Sequence, residues 1–66
     1  MNKQVDFRVA NEGNIFLLRP VSKAGKEWVT EHLPDDVMMW GEAAVVEHRF
    51  IGDIVEGIQG DGLVVQ

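Results

Sequence analysis

The hydrophobic period of this chain alternates between two and three-to-four residues, twice over. Val5, Phe7 and Val9 alternate with Asp6 and Arg8, which places apolar side chains on one face of a half-buried strand. Asn11-Glu12-Gly13-Asn14 is turn chemistry, because Gly and Asn tolerate positive φ better than most residues. Ile15-Phe16-Leu17-Leu18-Arg19 follows as a second strand, apolar on both faces, and the two segments read as a β-hairpin. Pro20 ends the pairing because it has no N–H to donate.

Ser22 then stands as an N-cap, and Ala24, Trp28, Val29 and Leu33 recur at helical spacing. Leu33 precedes Pro34, which disfavours helical backbone and stops the helix there. Val37-Met38-Met39-Trp40 and Ala43-Ala44-Val45-Val46 flank Gly41-Glu42 as a second hairpin with a tight turn. Ile51, Ile54, Val55 and Ile58 form the stripe of a second helix, with Gly60 as its C-terminal stop. Leu63-Val64-Val65 is available as a final edge strand. The order is ββαββα. It predicts an α+β fold, one small domain over residues 1–66, with an antiparallel sheet and two helices on one face.

Length sharpens this picture. A chain of 66 residues buries roughly 60% of its unfolded surface, so its stability is marginal. Without Cys it has neither a disulfide nor a thiolate metal site, and apolar packing must hold it, helped by any oligomer interface. A hydrophobic fraction of 45% is too high for a disordered acidic tail. No run of about 20 apolar residues predicts a membrane span, and the first residues have no apolar secretory core. The expected location is therefore the cytoplasm.

Charge changes the functional reading most. Residues 1–26 carry five bases against two acids, and residues 27–66 carry nine acids against Arg49 alone, giving the net −5. Lys23 and Lys26 open the first helix at its positive end, while Glu27 and Glu31 lie toward its negative end. Glu27 and Glu31 also repel at i, i+4. A marginal domain gains nothing from that arrangement, which points to a partner for Glu27, Glu31, Asp35 and Asp36. Asp53 and Glu56 lie opposite the apolar stripe of the second helix. With both helices on one face, these six carboxylates face outward together with Glu47 and Asp61, a density of negative charge comparable to nucleic-acid phosphates. Met39 and Trp40 belong to a run that is apolar on both faces, and Met and Trp are common interface anchors. The expected partner-binding residues are Glu27, Glu31, Asp35, Asp36, Asp53, Glu56, Met39 and Trp40.

Catalytic templates fit poorly. Ser22 is the only Ser and serves better as a cap. His32 and His48 lack the usual zinc-ligand spacing, and Gly60-Asp61-Gly62 lacks the Lys of a phosphate loop. No catalytic residue, metal or cofactor is expected, and direct nucleic-acid binding is disfavoured because the bases are few and scattered.

Ile15-Phe16-Leu17-Leu18-Arg19-Pro20, Glu31-His32-Leu33-Pro34-Asp35-Asp36, Trp40-Gly41 and Val45-Val46-Glu47-His48-Arg49-Phe50-Ile51 resemble a group of short, mostly uncharacterised proteins of bacterial genomes, phages and mobile elements. The resemblance spans about Phe7 to Leu63 and implies no catalytic residues. In size and acidity the chain is also similar in character to anti-CRISPR proteins of type I systems, small non-enzymatic inhibitors of which several mimic DNA. That likeness implies a monomer or weak homodimer in a bacterial host cell that covers a basic, DNA-contacting surface of a CRISPR effector subunit. The basic N-terminal third departs from a fully acidic mimic. The alternative is a homodimeric structural or protein-interaction module with no enzymatic activity, joined through the Met38–Trp40 strand or the Leu63–Val65 edge.

Overall fold

The computed structural model describes residues 4–66. The elements come in the order β1 (Phe7–Asn11), β2 (Ile15–Pro20), α1 (Lys23–His32), β3 (Met39–Trp40), β4 (Ala43–Glu47) and α2 (His48–Gly60). The fold is the expected ββαββα arrangement of the α+β class, with a four-stranded antiparallel sheet in the order β1-β2-β4-β3.

Each turn is set by its residues. Between β1 and β2 the Asn11 side chain accepts the Gly13 N–H at 2.9 Å, and Gly13 takes φ +92°. Between β3 and β4 only Gly41 and Glu42 intervene, and Gly41 takes φ +64°. Glycine first, with no positive φ at the second position, is the type II′ turn that matches strand twist. The β3 pairing is shorter than the sequence predicts, because Val37 and Met38 lie before it. Val5 likewise lies outside β1.

Register sorts the side chains. Phe7 pairs with Pro20, Val9 with Leu18, Leu18 with Ala44, Phe16 with Val46 and Met39 with Ala44, so these residues share one face. Both helices cover that face. The core is Phe7, Leu18, Trp28, Ala44, Val46 and Ile58, with Val29, Leu33, Ile51 and Ile54 packed around it.

Ser22 caps α1 as expected, its oxygen accepting the Gly25 N–H at 2.9 Å. The buried stripe of α1 differs from the sequence expectation: Ala24 is exposed and Gly25 is buried. The reason is steric, since a Cβ on Gly25 would stand 2.5 Å from the Asp6 carbonyl oxygen. α2 follows β4 without a linker and carries its apolar stripe as expected. Its Gly57 lies under the Trp28 ring, where a Cβ would make ordinary contact at 3.7 Å. The end of the chain returns to β1, where Val65 forms a single parallel bridge to Phe7 rather than a full strand. No helix among the described residues is long and apolar enough to cross a membrane.

Candidate functional site

The sheet separates two surfaces of different chemistry. On the helix side, α1 exposes Glu27 and Glu31, the connection to β3 exposes Asp35 and Asp36, and α2 exposes Asp53 and Glu56. None of the six takes part in an ion pair among the described residues. Two further carboxylates counted as outward-facing are occupied. Glu47 pairs with Arg49 at 3.2 Å. Asp61 accepts the Trp28 indole N–H at 2.8 Å and has His32 Nε2 at 3.6 Å. The His32 ring stacks on Trp28 with centroids 4.3 Å apart, and its Nδ1 lies 3.0 Å from the Trp28 carbonyl oxygen. A carbonyl only accepts, so Nδ1 carries the proton there.

Lys23 and Lys26 interrupt the acidic surface. They line one shallow groove along α1 together with Glu27 and Glu31. Asp35 and Asp36 in the connection and Asp53 and Glu56 on α2 lie outside that groove, with Arg49 four residues before Asp53 on the same helix.

Among the described residues no helix covers the other sheet face, on which Ala43 is buried and Ile15, Leu17 and Val45 are half-buried. Its residues fall into three rows across the strands. Arg8 pairs with Arg19, and continuing that register across β4 and β3 brings in Ala43 and Trp40. Ala10, Leu17 and Val45 make the middle row, extended toward β3 where the Val45 N–H donates to the Met38 carbonyl at 2.9 Å. Ile15 and Glu47 make the third. A solvated sheet face is ordinarily polar, whereas here the middle row is wholly apolar. Met38 is 70% exposed and Trp40 61%. An open depression of about 700 Å³ lies between Arg8, Arg19 and Trp40, floored by Ala10, Leu17 and Ala43. Arg8 and Arg19 stand directly opposite each other, an arrangement that is unfavourable for like charges, and neither has an ion pair among the described residues.

The expected partner-binding set is thus split. The six carboxylates and Met39 are on the helix side, with Met39 beside Pro20, Val29 and Lys26. Trp40, one residue on, is on the opposite face because strand side chains alternate. The arginine pair was missed by reading the bases as scattered. The signal was available: Arg8 and Arg19 each follow a core residue in their strands, and a three-residue turn sets them opposite.

Among the described residues no group of three His, Asp or Glu side chains is placed to hold a metal ion. The Asp6 carboxyl is held below its ordinary value. The Ser22 hydroxyl donates to it at 2.6 Å and the Val64 N–H at 2.8 Å, while burial opposes the shift. Its partners identify it as a structural latch between β1, the start of α1 and the end of the chain.

No family model, no curated protein and no solved structure matches the chain.

Proposed function

We propose that this chain is a binding protein of the inhibitor type. Its acidic helix side occupies a basic, nucleic-acid-contacting surface of a protein partner and so excludes the nucleic acid. The partner class implied by the resemblance in character is a CRISPR effector subunit. The observation that carries the reading is the group of carboxylates on the helix side: Glu27, Glu31, Asp35, Asp36, Asp53 and Glu56 are exposed and form no ion pair among the described residues, with Lys23 and Lys26 as the interruption along α1. Met39, half-exposed beside α1, is the apolar anchor on that same side. Trp40 is not part of this surface.

Association driven by exposed charge is screened within about 10 Å at 0.1 M salt. Competition with DNA for a type I effector subunit, followed by fluorescence polarisation, tests the reading. The chain displaces DNA at low salt, and displacement weakens steeply as salt rises. The triple variant Glu31→Lys, Asp35→Lys, Asp36→Lys keeps its circular dichroism spectrum and loses displacement. No displacement at low salt by the wild-type chain, or equal displacement by the triple variant, overturns the proposal.

A further inference from the structure

The helix-free sheet face carries an inference that does not rest on the inhibitor reading, because the carboxylates of that reading lie across the sheet. We infer that this face joins two copies of the chain, packed face to face about a two-fold axis that runs along the Ala10–Leu17–Val45 row.

The row pattern selects this occupant and this axis. One end of the face carries Arg8 and Arg19, and the other carries Ile15 and Glu47, with Glu12 one residue beyond β1. An axis along the middle row reverses the strand direction of the second copy. It lays the arginine row of each copy over the Ile15–Glu47 row of the other, and Leu17 and Val45 meet their own equivalents. An axis parallel to the strands through the middle of the sheet instead exchanges β1 with β3 and β2 with β4, laying Arg8 over Trp40 and Arg19 over Ala43, away from any carboxylate. A two-fold interface must be self-complementary, and of the two arrangements the first is the one that brings carboxylates to the arginines. It also supplies what the isolated chain lacks. Arg8 gains the Glu12 carboxylate of the second copy, Arg19 lies beside its Glu47, which Arg49 of that copy also holds, and its Ile15 covers the depression floored by Ala10, Leu17 and Ala43. The exposed Met38 and Trp40 border the same contact.

Size sets the strength. Three strands of five or six residues and the two-residue β3, about 4.8 Å apart, span at most roughly 19 by 17 Å. Two such faces bury on the order of 1,000 Å² in total, the lower end of specific interfaces, so the dimer is weak and concentration-dependent. The resulting particle has two sheets inside and a helix layer on each outer side.

Sedimentation equilibrium of the full chain, from about 10 μM to about 1 mM, reads the assembly against typical protein affinities. The wild-type mass rises from 7.4 kDa to twice that value across the series. Leu17→Asp places a charge on the axis and holds the single-chain mass throughout. Two further variants change exposed side chains only, so they test the interface whether or not Leu17→Asp folds. One carries Arg8→Glu and Arg19→Glu, and the other carries Glu12→Arg and Glu47→Arg. Each alone dimerises at least about tenfold more weakly than wild type, and mixing the two restores the dimer mass. A wild-type chain that stays at single-chain mass up to about 1 mM overturns the inference. So does a dimer that ignores Leu17→Asp, or charge variants that dimerise as well alone as mixed.

Discussion

Asp6 and Gly25 meet at one point where three segments of the chain converge. The Asp6 carbonyl accepts the Val21 N–H at 2.8 Å, and the same oxygen is what a Cβ on Gly25 would strike. Gly25→Ala must push α1 off β1 and is expected to cost about 1–3 kcal/mol in urea unfolding, despite the higher helix propensity of Ala. The Asp6 carboxyl gives a pH signature. Its folded value is lowered, chiefly by the Ser22 hydroxyl and next by the Val64 N–H. A lowered carboxylate stabilises the fold above its unfolded value, about pH 4, and that stability is lost as pH falls through the folded value. The urea midpoint of the wild-type chain therefore drops below about pH 4 more steeply than that of Asp6→Asn. This latch has no local signature: Asp6 looks like any polar residue of an alternating strand, and its partners stand 16 and 58 positions away.

Among the elements, α1 bears charges that oppose its own dipole. Its first turn holds no acid and begins with Lys23. Glu31→Gln, on an exposed position in the last turn, removes both a charge opposed to the dipole and the repulsion from Glu27, and is expected to raise stability by about 0.3–1 kcal/mol, read as a higher urea midpoint whose gain shrinks in high salt. Element order, the Ser22 cap and the stripe of α2 were legible because each is written in local spacing. Two features were not. Gly25 is buried in place of Ala24 because β1 approaches α1 so closely, a tertiary fact that overrides the apolar pattern. β3 is only two residues long: the type II′ turn sets Trp40 against Ala43, and beyond Met39 the pairing continues as a single backbone bond from the Val45 N–H to the Met38 carbonyl.

For the whole molecule, the decisive property is that one sheet keeps two chemistries apart. Charge segregation along the chain was legible, yet its projection onto opposite faces depends on strand register, which decided that Met39 and Trp40 part company. The Glu31, Asp35 and Asp36 reversals act on one side and Leu17→Asp on the other, so their effects on target binding and on mass are expected to be separable in a single preparation. The latch at Asp6 has one more bearing at this scale. Val64 and Gln66 exchange backbone bonds with Asp6, Phe7 and Val9, and the Asp6 side chain ties the same region to α1. The first strand and the last residues therefore guard each other's amides, and neither of these two segments opens alone: when one lets go, solvent reaches both.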